Sequence, residues 1–295
     1  MSTFAGIWPA LVTPFTPDDS VNTAMLRRLV DRFASRNMDG LYICGSTGEG
    51  LFMSTHEREL VTETVLNQAQ GRLPVIVHVG AAATVDAVRL AGHADACGAA
   101  GISAILPPVS SNPRSIALHF DSIASAAPDL PFLPYVFGGP LDAVALMSDL
   151  RHIPNLGGTK YYGPNMYELA QLVELRTTGW TVFAGMDEQC LLAAMFGAHG
   201  SIGSTLNVIP GAYQRIFQCY QRGDFSQALD LQKRANRVIT VFHDMGFMGA
   251  LKEAMAYLGL ECGRPRRPNP PFPTDKRREL DARLEEVGFV ELAAM

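Results

Sequence analysis

The sequence predicts a (β/α)8 TIM barrel with a C-terminal helical extension. Three observations carry that prediction. Short apolar runs alternate eight times with longer amphipathic segments between residues 1 and 222. Such alternation demands parallel strands, because parallel neighbours need a crossover connection. Eight strand–helix units are the number that closes a barrel. The rival, an open doubly wound sheet, usually carries a glycine fingerprint after its first strand. That turn reads Thr13-Pro14-Phe15-Thr16-Pro17, with no GxGxxG.

Each element has its own signal. Ile7 to Val12 is the first apolar run, and Thr23 to Ser35 follows as a helix with Leu26, Leu29, Val30 and Phe33 at helical spacing and Asn22 placed to cap it. Gly40 to Cys44 precedes a helix from about Ser54, with Ser54 or Thr55 as its cap. Val75 to Val79 leads to a helix over Thr84 to Ala96, and Ile102 to Leu106 to one over Pro113 to Ala126. Pro131 to Val136 precedes Leu141 to His152, and Leu156 to Thr159 precedes Asn165 to Thr177. Trp180 to Ala184 leads to Asp187 to Phe196, and Gly200 to Ile202 to a helix opened by Pro210. Beyond Arg222 the pattern changes. Phe225 to Phe242, Met248 to Leu258 and Asp275 to Val287 look helical with no strand between them, so residues 223–295 form the expected helical extension. The arginine- and proline-rich stretch Arg264 to Pro271 is expected to be a solvated connector.

Composition narrows the function. A chain of 295 residues with 47% hydrophobic residues is not disordered, and a net charge of −5 argues against nucleic-acid or anionic-membrane partners. The apolar stretches fall short of the ~20 residues a membrane helix needs. Met1 to Pro9 lacks the basic and apolar regions of a signal peptide. Five widely spaced cysteines form no CxxC and no Cys/His cluster, so neither zinc nor a disulfide framework is suggested, and a reduced cytoplasm is the simplest compartment.

Catalytic groups of a parallel barrel sit at the C-terminal ends of its strands. After the second strand, Gly45-Ser46-Thr47-Gly48-Glu49-Gly50 offers convergent backbone N–H groups and two hydroxyls, a cradle for a carboxylate; no Lys follows, so it is not a P-loop. An ordinary glycine-rich turn would look the same. Tyr135 stands at the end of the fifth strand, where a packed core Tyr is the plain alternative. Lys160 follows Gly157-Gly158-Thr159 at the end of the sixth. Burying its charge is costly unless its pKa falls, and a neutral amine can attack a carbonyl. A lysine that reaches solvent along its stem is the alternative. Gly185-Met186-Asp187-Glu188 ends the seventh strand with an acidic pair that either caps a helix or binds sugar hydroxyls. Gly200-Ser201-Ile202-Gly203-Ser204 ends the eighth, in a position that often binds phosphate in this fold, which keeps a phosphosugar reading open. His78, at the end of the third strand, is a further candidate, and no residues show metal-ligand spacing.

The Gly-Ser-Thr-Gly-Glu loop, Tyr135 and Lys160 together resemble the N-acetylneuraminate lyase and dihydrodipicolinate synthase family. The likeness extends from Ala10-Leu11-Val12-Thr13-Pro14-Phe15 to the helical tail. Ser46, Gly185-Met186-Asp187-Glu188-Gln189 and Gly203-Ser204-Thr205-Leu206-Asn207 lean toward the lyase branch. The resemblance implies a class I pyruvate aldolase without external cofactor. Lys160 would form the imine, Tyr135 would move the proton, and Ser46 and Thr47 would hold the substrate carboxylate. Gly185, Asp187, Glu188 and Ser204 would bind the polyol tail of a 2-keto-3-deoxy sugar acid, with N-acetylneuraminate as first candidate. A homotetramer built from tight dimers is also implied. Alternatives are a related dehydratase, an aldolase for another aldehyde, and a non-catalytic keto-acid-binding homologue. Several features depart from the family. The run Tyr135-Val136-Phe137-Gly138-Gly139-Pro140 lacks the usual Asn, Tyr162 stands where lyases often have Thr or Ser, and Pro107 to Pro113 contains no Tyr to lend across an interface. No Arg lies between Tyr135 and Asp149, which argues against synthase activity.

Overall fold

The computed structural model describes residues 4–107, 112–139, 141–175 and 179–295. The loop expected after the fourth strand falls largely on residues 108–111, outside that set. So do Pro140 and the end of the helix expected to reach Thr177. The strands are β1 (Gly6–Pro9), β2 (Leu41–Ile43), β3 (Val75–His78), β4 (Gly101–Ile105), β5 (Phe132–Phe137), β6 (Gly158–Tyr162), β7 (Thr181–Ala184) and β8 (Gly200–Gly203). They form a single parallel sheet in the order β1-β8-β7-β6-β5-β4-β3-β2, and a parallel bridge from Ala10 to Tyr42 completes the ring. The helices of the units are α1 (Thr23–Ser35), α2 (Thr55–Ala69), α3 (Thr84–Ala96), α4 (Pro113–Ser125), α5 (Ala143–Asp149), α6 (Met166–Leu175), α7 (Cys190–Met195) and α8 (Pro210–Gln221). After them come α9 (Phe225–Met245), α10 (Phe247–Tyr257), α11 (Arg277–Glu286) and α12 (Phe289–Ala294).

Local chemistry explains the helix starts. Asn22 accepts from the Met25 N–H to open α1, and Ser54 and Glu57 form a reciprocal capping box at α2. Asn112 and Pro113 open α4. Three expected starts move, among them that of α11, which begins at Arg277 after a 3-10 turn over Thr274–Lys276 rather than at Asp275. Asp142 caps α5, so that helix begins at Ala143 and finishes in a 3-10 turn, Leu150–His152. The helix expected from Asp187 begins instead at Cys190, after a 3-10 turn over Asp187–Gln189. The Asp187 carboxylate caps nothing in its own helix, because it accepts from Thr205 at the end of the neighbouring strand β8.

Two cores sandwich the sheet. Phe4, Trp8, Ala10, Tyr42, Ile76, Leu133, Phe183 and Ile202 fill the barrel interior. The outer core lies between strands and helices and continues without a break into Val238, Phe242, Leu251, Met255, Leu284 and Phe289 of the last four helices. Strand periodicity decides which side chains face inward. On β6, Lys160 and Tyr162 line the barrel mouth, while Tyr161 turns outward and donates to Glu168 at 2.5 Å. The strand therefore runs two residues beyond Lys160. The apolar run ends at Thr159, but the parallel pairing with β5 continues through Tyr162.

The connector from Arg264 to Pro271 is exposed over most of its length, as expected of a solvated connector, but it is not free. The Arg266 N–H donates to Glu49 at 2.6 Å, its guanidinium pairs with Glu57 at 2.8 Å, and it stacks over the Phe15 ring. Arg264 pairs with Asp19 at 2.8 Å. Two of its three arginines fasten the segment to the loops after β1 and β2 at the edge of the barrel mouth, which sequence composition does not reveal.

Candidate active site

A cavity of about 390 Å³ opens at the C-terminal end of the barrel. The eight residues given a catalytic or binding role from the sequence line it: Ser46, Thr47, Tyr135, Lys160, Gly185, Asp187, Glu188 and Ser204. They come from five strand ends, as a parallel barrel requires.

Lys160 is 5% exposed. Its register partners are Tyr135 on β5 and Phe183 on β7. Its Nζ lies 4.0 Å from the centroid of the Tyr135 ring and 4.7 Å from that of Tyr42. Among the described residues it makes no hydrogen bond and no ion pair. The ring faces favour a cation only partly, so burial wins and pulls the amine pKa down to about 7, with Asp187 opposing. The lowered pKa makes the neutral, nucleophilic amine accessible near neutral pH. The Tyr135 phenol, beside the Ser46 hydroxyl, is pushed up by burial and stays protonated. It is available as a proton donor and acceptor.

The cradle after β2 is held from several sides. Thr13 Oγ1 donates to the Gly48 carbonyl at 2.7 Å, and Thr47 and Ser204 hydroxyls lie 2.6 Å apart. A Cβ at Gly50 would lie 1.8 Å from the Cys44 carbonyl oxygen, so only glycine allows the loop to fold this tightly. Glu49 has a left-handed backbone (φ 56°), and its side chain points away from solvent into a buried ion pair with Lys252, 2.7 Å apart. Lys252 Nζ also donates to the carbonyls of Thr13 and Arg264. Asn269 donates to Glu49 at 3.3 Å and reaches the cavity wall.

On the opposite side, Asp187 Oδ2 accepts from the Thr205 N–H and hydroxyl, both at 2.8 Å. Burial raises its pKa to about 6, and those hydrogen bonds oppose the rise. Gly203 is required here, since a Cβ would lie 1.4 Å from Asp187 Oδ1. Asn207 fixes the same loop, accepting from Val12 and donating to the carbonyls of Ala10 and Ser204. The Thr205 N–H is thus already committed to a carboxylate, and Glu188 stands beside it. That arrangement repels a phosphate and speaks against the phosphosugar reading.

His78 does not line the cavity. Its Nε2 accepts from the Ile105 N–H at 3.0 Å, and burial, with Arg58 and Lys160 nearby, keeps it neutral. It packs edge-on beneath Tyr135. Sequence reasoning missed Tyr42, Lys252, Asn269, His243 and Phe247. Lys252 alone carried a signal, being a lysine among Ala250, Leu251, Ala254 and Met255 on an apolar helix face. No group of His, Cys, Asp or Glu among the described residues could hold a metal ion.

The closed (β/α)8 barrel, with a buried amine in its mouth, is that of a class I aldolase, a carbon–carbon lyase, by its likeness to known proteins. The chain belongs to the dihydrodipicolinate synthetase family, whose model matches residues 3–287. It is 36% identical over 290 residues to the N-acetylneuraminate lyase of Rhizobium meliloti (strain 1021), covering 97% of this chain and 95% of that one. Its structure is similar to the N-acetylneuraminate lyase of Proteus mirabilis, with TM-score 0.93, 28% identity and coverage of 98% and 100%. It is equally similar to a catalytic lysine mutant of the Ruminococcus gnavus sialic acid aldolase, with TM-score 0.93, 26% identity and coverage of 98% and 97%.

Proposed function

We propose that this protein is a pyruvate-dependent carbon–carbon lyase that cleaves N-acetylneuraminate to N-acetylmannosamine and pyruvate. The observation that carries the reading is Lys160: an unpaired amine in the barrel mouth, with Tyr135 against it and the Ser46–Thr47 cradle in the same cavity. Homology to proteins named N-acetylneuraminate lyase supports the substrate.

The neutral Lys160 amine adds to the C2 ketone of the open-chain sugar acid, and loss of water leaves a protonated imine. Ser46 and Thr47 hold the C1 carboxylate by their hydroxyls and backbone N–H groups. Tyr135 moves the proton from the C4 hydroxyl, helped by that carboxylate. The C3–C4 bond electrons flow into the imine, giving an enamine and the free aldehyde. Protonation at C3 and hydrolysis return pyruvate and the amine. Asp187, Glu188, Ser204 and the Gly185 backbone bind the polyol tail. The family resemblance adds a homotetramer in the cytoplasm to the proposal.

The test is incubation with pyruvate and borohydride, followed by intact mass and peptide mapping. A reduced adduct on Lys160 is expected. Its absence in folded protein would remove the aldolase reading. Tyr135→Phe should retain the adduct and lose about 10²–10⁴ in kcat, the usual range for a proton-transfer group. An unchanged kcat would take Tyr135 out of the mechanism.

A further inference from the structure

The cavity has two unlike sides. Its β7 and β8 side carries carboxylates and hydroxyls, while its β5 and β6 side is aromatic. Phe137 stacks on Tyr135 (centroids 5.0 Å apart, planes 21°), and Tyr162 meets Phe137 edge-on at 5.3 Å. Tyr162 is 37% exposed, so its ring is presented to the cavity rather than packed away. Hydroxyls facing ring carbons lose their water without replacement hydrogen bonds, so the wall suits C–H faces or a flat, weakly polar group better than a row of hydroxyls. We propose that Phe137 and Tyr162 are specificity-determining residues that select an acylamino substituent on the aldehyde half over a bare hydroxyl at the same carbon. This inference rests on the aldolase reading above.

Distance along the strand supports the placement. Lys160 and Tyr162 share one face of β6 and are separated by about 7 Å of strand. A substrate fixed at Lys160 through C2 and running out of the barrel therefore brings its C5 substituent beside Tyr162. Its hydroxyls on the other side then face Asp187, Glu188 and Ser204. The amide plane of an acylamino group can lie against an aromatic ring, which a single hydroxyl cannot do.

The experiment compares kcat/KM for N-acetylneuraminate and for its analogue with hydroxyl in place of the acetamido group. It uses the full chain and the variants Tyr162→Phe, Tyr162→Ser and Phe137→Leu. The unaltered protein should prefer the acetamido substrate. Tyr162→Phe should keep the preference, because it keeps the ring. Tyr162→Ser and Phe137→Leu should each lower it by about tenfold, the scale of losing one apolar pocket contact. Pyruvate trapping on Lys160 in each variant reports a folded, competent barrel. Equal efficiency on both substrates in the unaltered protein, or an unchanged preference in Tyr162→Ser and Phe137→Leu, would overturn the assignment. Failure of the unaltered protein to trap pyruvate would instead overturn the aldolase reading on which it stands.

Discussion

Two lysines are buried near the barrel mouth, Lys160 on β6 and Lys252 on α10, and their surroundings differ in one respect. Lys252 is 2% exposed and faces three oxygens, from Glu49, Thr13 and Arg264, which use all three of its protons. Lys160 is 5% exposed and faces two ring faces. Burial lowers both pKa values, but Glu49 counteracts the fall at Lys252. Burial alone therefore does not make an amine reactive. What matters is whether the pocket supplies acceptors that reward the proton.

The contrast can be broken or sharpened by substitution. The largest effect belongs to Lys160→Met, which should abolish pyruvate trapping while leaving thermal stability equal or higher, since it removes an unpaired buried amine. A clear fall in Tm would show that Lys160 has a partner after all. Next comes Lys252→Met, which leaves Glu49 as a buried carboxylate without its cation and should cost about 3–5 kcal/mol in urea unfolding. Adding Glu49→Gln to it should recover part of that loss, and a double variant no more stable than the single would refute the pairing argument.

A smaller effect is the pH dependence. Exchange of pyruvate methyl protons in heavy water should rise about tenfold per pH unit well below 7 and level off above it, as expected for an amine near 7. A rise that continued toward pH 10 would mean Lys160 is solvated. The same shift affects stability. Between about 7 and the unfolded value of 10.5 the unfolded chain binds more protons at this site, so the Lys160 contribution to stability rises with pH. Asp187 acts oppositely. Between 3.8 and about 6 the folded chain holds the proton more tightly, and its contribution falls as pH rises through that window. The smallest effect is Arg277→Ala, which breaks the exposed pair with Glu253, the residue after Lys252. Equilibrium unfolding should change by less than about 1 kcal/mol, and a loss matching that of Lys252→Met would erase the distinction between buried and exposed cations.

The barrel was legible because parallel strands buried on both faces read as apolar runs, and the ends of all eight lie within three residues of the expected places. The site candidates were legible for a related reason: a strand end in such a barrel points its last inward side chain at the mouth. Lys160, Tyr135 and the cradle stand at those ends. Contacts between distant segments were not legible. Nothing near Glu49 in the chain announces Lys252 or Asn269, and the arginines of the connector look like those of any solvated linker. The turn at Asp187 was misread for the same reason, because its carboxylate answers Thr205 rather than its own helix.

The fastening of the connector beside the barrel mouth has a consequence for synthesis. A nascent chain that has reached Arg222 already contains all eight strands, Lys160 and Tyr135. It lacks Lys252, Arg266 and Asn269, the three residues that hold Glu49. The loop carrying Ser46 and Thr47 therefore has only part of its support, from Thr13 and Ser204, until the last part of the chain emerges. The ribosome thus releases all eight strands before it releases the residues that complete the support of this loop and the outer core.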